Sequence, residues 1–352
     1  MEHTKILAAM ISPLCSWYEK NKRILPWRKN RDPYRVWVSE IMLQQTRVEA
    51  ALPYYERFLE ALPTVFDLAS ASEEKILKLW EGLGYYSRVK NMQKAAQTMV
   101  QDYGGEFPRD RKLLQALSGI GSYTAGAICS IAFGLPESAV DGNVLRVVAR
   151  LCNNDEDILL PQTKKRVEKE LQSVYPSVSD PGALTQAIME LGALVCIPGV
   201  PRCEVCPLCD LCMAYKNGCT LKLPVRQVKT TKKEQKRSVF LLLSNGKVAL
   251  KRRGAKGPLA GLWEFPGVEQ ELTEKEAEKE LKRLGISESP QKFIKSRHVF
   301  THLIWEMQSF IVQNVPQSED FLWLSAEELK SDIPLPSAMK PFYQALLEHG
   351  VL

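Results

Sequence analysis

Leu117-Ser118-Gly119-Ile120-Gly121-Ser122-Tyr123-Thr124-Ala125 lies between two apolar segments: Leu113, Leu114 and Leu117 precede the turn, and Ala127, Ile128 and Ile131 follow it. The spacing predicts two helices joined by a tight turn, because paired glycines permit backbone conformations that other residues resist. Amides opening the second helix would face outward as an anion site suited to a DNA phosphate. A plain helical hairpin would produce the same pattern, so Gly119 and Gly121 acquire meaning only from what surrounds them.

About twenty residues on stands Ala139-Val140-Asp141-Gly142-Asn143-Val144-Leu145-Arg146. An acid at the entry to a helix is ordinarily a cap. Farther along, six of the nine cysteines fall between Cys196 and Cys219. In a reducing compartment such crowding points to metal ligation rather than disulfides. Cys196, Cys203, Cys206 and Cys212 supply four thiolates from one short loop, as one 4Fe–4S cluster requires. Zinc competes, although structural zinc sites more often use two separate Cys-x-x-Cys pairs. Cys209 adds an ambiguity, since 203, 206, 209 and 212 form an every-third series similar to the ferredoxin run, one residue short in its last gap. The favoured set uses Cys196 and leaves Cys209 spare.

Outward from these motifs, the first 215 residues read as mostly helical. Arg35 to Val48 carries a helical apolar stripe. Ser70 with Glu73 is expected to form a capping box, Thr163 to cap a helix through Leu171, and Asp180-Pro181 to start one running to about Val195. Between Lys222 and Arg237 there are seven basic residues and one acid, Glu234, which reads as a solvated linker. Beyond it the character changes. Ser238 to Leu243 is continuously apolar, Asn245-Gly246 follows, and Lys247 to Leu250 completes a hairpin. Glu274 to Leu284 reads as a charged helix and Phe310 to Val312 as a strand. The expected domains are 1–217, all helical; a basic linker, 218–236; and a smaller α/β domain, 237–352. No apolar run reaches eighteen residues and the N-terminus lacks a secretory pattern, so an intracellular (cytoplasmic) monomer with no membrane contact is expected. The net charge of +6 is weakly suggestive of a polyanionic partner.

As a set, the hairpin, the Val-Asp pair and the cysteine loop resemble the helix-hairpin-helix DNA glycosylases of the endonuclease III superfamily, over roughly residues 5 to 215. Two positions distinguish its branches. Lyase chemistry needs an amine nucleophile in the second hairpin helix, and here that position is Tyr123. The segment Trp37-Val38-Ser39-Glu40-Ile41-Met42-Leu43-Gln44-Gln45-Thr46 resembles the motif of MutY-type adenine DNA glycosylases, which implies that Glu40 is the catalytic acid. The chemistry suits a carboxyl group, since protonating a ring nitrogen turns adenine into a neutral leaving group. Trp37 and Leu43 flank Glu40 at three residues on either side and would raise its pKa by desolvation. Asp141 is then expected to stay ionised beneath the oxocarbenium-like sugar, supplying opposite charge or forming a transient covalent adduct, so the two carboxylates should have separated pKa values.

The resemblance further implies that Tyr123 and Asn143 orient the carboxylates and water. It implies that Trp27, Arg28, Leu43 and Gln186 line the adenine pocket, and that Gln45 and Tyr85 wedge into duplex DNA once the base is flipped. Gly261-Leu262-Trp263-Glu264-Phe265-Pro266-Gly267 resembles the start of a Nudix box. Lys282, Arg283 and Leu284 stand where a working box needs metal-binding glutamates, so a binding role alone is expected. Phe300, Thr301 and His302 match the positions that recognise 8-oxoguanine, with Thr301 keeping the hydroxyl that many relatives supply from serine. The reading is an enzyme that excises adenine opposite 8-oxoguanine or guanine. Its alternatives are an endonuclease III-like glycosylase-lyase acting on oxidised pyrimidines and a non-catalytic iron–sulfur DNA-binding protein.

Overall fold

The computed structural model describes residues 2–227, 232–254 and 256–352. The chain divides into two compact units, Met1–Ala71 with Asn91–Val228, and Ser72–Lys90 with Lys229–Leu352. Its helices in chain order are α1 (Glu2–Asn21), α2 (Pro33–Met42), α3 (Val48–Ala61), α4 (Val65–Ser70), α5 (Glu73–Leu79), α6 (Ser87–Tyr103), α7 (Arg111–Ala116), α8 (Ser122–Ala127), α9 (Gly142–Leu151), α10 (Pro161–Gln172), α11 (Pro181–Leu194), α12 (Met213–Lys216), α13 (Glu274–Arg283), α14 (Ala326–Ser331) and α15 (Lys340–Glu348). No helix among the described residues is long and apolar enough to cross a membrane.

Local chemistry starts the helices that matter. Asp32 caps α2, accepting from the Arg35 amide at 2.9 Å, with Pro33 in the first turn. Asp180 caps α11 through the Ala183 amide at 3.1 Å, as the Asp-Pro pair predicts. In the first unit, apolar residues at three- and four-residue spacing bring α1 (Leu7, Met10, Leu14), α9 (Val144, Val148) and α11 (Leu184, Ile188, Leu191) into one core.

Several expectations are corrected. The stripe from Arg35 to Val48 is two helices, because α2 ends at Met42 and α3 begins at Val48. Ser70 closes α4; the cap of α5 is Ser72, whose hydroxyl accepts from the Lys75 amide. Thr163 is buried inside α10, donating to Glu156, while Pro161 begins that helix. Residues 72–90, expected in the first domain, group with the C-terminal unit. Of the expected linker 218–236, residues 228–231 lie outside the described residues and the last four belong to strand β1 (Lys233–Ser244).

The remaining strands are β2 (Lys247–Arg252), β3 (Trp263–Glu264), β4 (Gly267–Val268), β5 (Gln291–Val299), β6 (Leu303–Val312) and β7 (Leu322–Leu324). They form a seven-stranded sheet among the described residues, in the order β3-β2-β1-β6-β5, with β4 on β1 and β7 on β2. β1 and β6 are parallel; β1 and β2 are an antiparallel hairpin closed by Asn245 and Gly246, both at positive φ. The apolar run in β1 is continuous because both faces are covered. Val239, Leu241 and Leu243 pack in the core containing Phe342 and Leu346 of α15, while Phe240 and Leu242 pack with Ala277 and Leu281 of α13.

Candidate active site

A cleft of about 1220 Å³ opens in the helical unit. Glu40 reaches it from the last turn of α2 with only 7% of its surface exposed. The Tyr123 hydroxyl, from α8, donates a hydrogen bond to Glu40 Oε2. Burial raises the Glu40 carboxyl to about 7; the Tyr123 bond opposes the rise, the Asp141 charge adds to it, and Arg28 opposes it.

Asp141 is the N-cap of α9 and faces the same cleft. Its carboxylate accepts from the Val144 amide and from Asn143 Nδ2, both at 2.8 Å. Burial raises its pKa as well, while these hydrogen bonds and Arg146 favour the charged form. The two acids are therefore distinguished by donors rather than by exposure. Asn143 is held in turn by Arg146, whose guanidinium donates to Asn143 Oδ1 at 2.9 Å, to the Gly192 carbonyl at 2.6 Å and to the Cys196 carbonyl at 2.7 Å.

Trp27 and Arg28 sit on a 3₁₀ turn, Pro26–Arg28, at the cleft wall, with Leu43 and Gln186 also lining it. Gln45 lines the cleft too, at φ 59°. A glutamine at positive φ is a strained backbone of the kind that concentrates at functional sites. Gly119 stands at φ +76° in the α7–α8 turn, where a Cβ would meet Asn91 Cβ at 2.7 Å; Gly121 precedes Ser122, the first residue of α8. In the other unit Tyr85 is exposed, also at positive φ, and its hydroxyl shares a hydrogen bond with that of Thr301. Phe300, Thr301 and His302 form the turn between β5 and β6 rather than part of a strand. The Phe300 ring is wedged edge-on against His298 and Trp305, and Thr301 and His302 are exposed.

The cysteine loop encloses a small cavity of about 30 Å³ lined by Cys196, Cys203, Cys206, Cys209 and Cys212. Cys203, Cys206 and Cys212 each feel the sulfur of Cys196, and Cys203 feels that of Cys209 as well. Cys209 turns its thiol toward Asp210 Oδ1, at 3.7 Å. Among the described residues no three His, Cys, Asp or Glu side chains are gathered closely enough to grip a single metal ion. Arg150 pins the loop, donating to the carbonyls of Ile197, Gly199, Thr220 and Leu223.

Sequence reasoning passed over Arg146, Arg150 and Glu190. Their signal was a charge inside an otherwise apolar helix, which calls for a buried partner.

Residues 38–177 match the HhH-GPD superfamily of base excision DNA repair proteins, and residues 238–345 match the NUDIX domain family. The chain is 34% identical to the adenine DNA glycosylase of Mus musculus, with 97% of this chain and 79% of that one covered. To the adenine DNA glycosylase of Schizosaccharomyces pombe it is 33% identical, with 90% and 85% covered. A solved thermostable thymine-DNA glycosylase superposes at a TM-score of 0.55 with 28% identity, covering 60% of this chain and 98% of that one.

Proposed function

We propose how this chain, which belongs to the adenine DNA glycosylase family and excises adenine in DNA repair, performs that reaction. The target is adenine opposite 8-oxoguanine or guanine, and the excision is monofunctional hydrolysis. Duplex DNA hides the glycosidic bond, so the adenine is flipped out, with Gln45 and Tyr85 filling the gap and the hairpin amides at Gly119 and Gly121 holding a phosphate. Trp27, Arg28, Leu43 and Gln186 line the pocket that receives the base.

Protonated Glu40 gives its proton to a ring nitrogen of adenine. The glycosidic bond then breaks, its electron pair leaving with the neutral base. The Asp141 carboxylate stabilises the positive sugar until water adds and gives its proton to the now ionised Glu40, and Tyr123 and Asn143 fix the two acids. Tyr123 has no amine, so no Schiff base forms. Phe300, Thr301 and His302 read the opposite base, acting within the cell where DNA resides.

Cys196, Cys203, Cys206 and Cys212 would hold one 4Fe–4S cluster. Soft thiolate donors suit iron–sulfur ligation, and a cluster spreads its ligands farther than one tetrahedral ion does. When bound, it supplies a structural clamp on the loop that Arg146 and Arg150 join to α9; hydrolysis calls for no electron transfer.

The observation that carries this reading is Glu40, held near neutral pKa by burial and facing Asp141 across one cleft. The test is alkaline strand nicking of duplexes with A opposite 8-oxoguanine, G, C or T. Product is expected with the first two. Glu40→Gln and Asp141→Asn should each abolish it while DNA binding persists. A Glu40→Gln enzyme at full rate, or a strong borohydride-trapped adduct, would overturn the mechanism.

A further inference from the structure

Glu190 lies on α11 with 1% of its side chain exposed, yet it borders the cleft. Its carboxylate receives a converging set of donors. The Arg23 amide and Nε reach Oε1 at 2.9 Å each, and Arg23 Nη2 reaches Oε2 at 2.9 Å. From the Pro26–Arg28 turn, Arg28 Nη1 reaches Oε1 at 3.1 Å and Nη2 reaches Oε2 at 2.8 Å. Arg28 also donates to the Arg23 carbonyl at 3.1 Å, and its guanidinium stacks 5.5 Å from the Tyr18 ring of α1. Arg28 therefore has one orientation available.

A buried ion pair is a poor device for stability alone, because apolar packing of similar volume often serves as well. A pair that fixes a guanidinium on a reactive cleft has another use. Two arginines against one carboxylate leave one net positive charge beside the cleft. Arg28 is the cation that acts on Glu40, whose other charged or titratable neighbours are Tyr123 from α8 and Asp141 at the start of α9. Around Glu190 itself the further ionisable groups are Tyr18 and, 4.0 Å from Arg23, Glu49 of α3.

We propose that Glu190 is a positioning residue of the excision reaction: it clamps Arg28 against the base pocket and screens its charge from the proton donor Glu40. The proposal rests on the assignment of Glu40 as acid and of this cleft as the adenine pocket. In this role Glu190 acts through Arg28.

The test is the single-turnover excision rate against pH on A opposite G, corrected for active fraction, for wild type, Glu190→Gln, Glu190→Asp, Arg28→Gln and the Arg28→Gln/Glu190→Gln double variant. Glu190→Gln leaves the Arg28 charge uncompensated, which favours ionised Glu40. The alkaline limb is expected to move to lower pH, with a rate loss of about tenfold or more. Glu190→Asp keeps the charge and should keep the limb while losing rate. In the Arg28→Gln background, Glu190→Gln should cost less than about threefold further, because the two act as one unit.

An unmoved limb with losses that multiply in the double variant would reduce Glu190 to a structural ion pair and overturn the proposal. So would an unchanged rate per active enzyme. Should Glu190→Gln not fold, Glu190→Asp takes its place in the same cycle, and a wild-type rate there overturns the proposal equally. Wild-type enzyme excising no adenine would instead sink the proposed function itself.

Discussion

At the scale of single residues, burial puts the Glu40 proton within reach of neutral chemistry. The group is raised from 4.5 to about 7, so the donating form dominates below that pH. Excision should fall about tenfold per unit once pH passes the Glu40 pKa, and fall again at acid pH where the Asp141 carboxylate, itself raised by burial, takes up a proton. The Tyr123 hydroxyl donates to the carboxylate and thereby favours its charge. Tyr123→Phe removes that donor, so the alkaline limb should move to higher pH while the maximal rate falls through loss of orientation. Single-turnover rates across the neutral range check this; a limb that moved down would reverse the role given to Tyr123. Glu40, Asp141 and Tyr123 were legible through the motifs that resemble the adenine glycosylases; residue type and spacing alone would have left Asp141 an ordinary cap. Their environment was legible only in part. Trp37 and Leu43 announced desolvation of Glu40, but Asp141 is desolvated too, and what opposes its rise is a pair of amides at the start of α9. Glu190 showed only as a charge inside an apolar helix, and its role could not be read, since its partners lie more than 160 residues away in sequence.

Between elements, the decisive contact is α9 against α11. At Gly192 a Cβ would stand 2.7 Å from Asn143 Cβ and 3.3 Å from its Cα, so only glycine lets the two helices approach this closely. Gly192→Ala should push Asn143 and the Asp141 cap out of place. We expect a loss of roughly 1–3 kcal/mol in denaturant unfolding, together with a fall in excision rate. Full activity at reduced stability would detach the helix contact from the chemistry. The cysteine loop makes a separate prediction. Cys206→Ser should lower bound iron, whereas Cys209→Ser should leave iron content and the cluster absorbance unchanged, since that thiol faces Asp210. Equal losses would restore the every-third series as the ligand set. Helix types were readable from apolar spacing, but caps were read less well. Ser70, placed in a capping box with Glu73 by the sequence, instead ends α4, and Ser72 caps α5. Thr163 was mistaken for a cap because a buried hydroxyl bonded to Glu156 leaves no trace in the local pattern.

For the molecule as a whole, the change from helical periodicity to a continuous apolar run announced a second fold type, and the Nudix-like sheet bears it out. The grouping of residues 72–90 with that sheet was not legible, because non-local contacts decide it. Lys78 donates to the Ile333 carbonyl, Lys340 pairs with Glu81, and Arg252 pairs with Glu73. The segment that carries Tyr85 therefore travels with the turn that carries Thr301, and the two hydroxyls are bonded to each other. If this turn reads the opposite base, its loss should alter preference and leave the excision chemistry intact. Thr301→Ala removes one hydroxyl worth about 1 kcal/mol, so the rate advantage of A opposite 8-oxoguanine over A opposite G should shrink by about fivefold. The rate on A opposite G should stay within about twofold, because the acids lie in the other unit and keep their donors. Thr301→Ser, which retains the hydroxyl, should hold the preference. Equal losses on both duplexes in Thr301→Ala would mean that the turn supports the fold of its unit rather than reading a lesion.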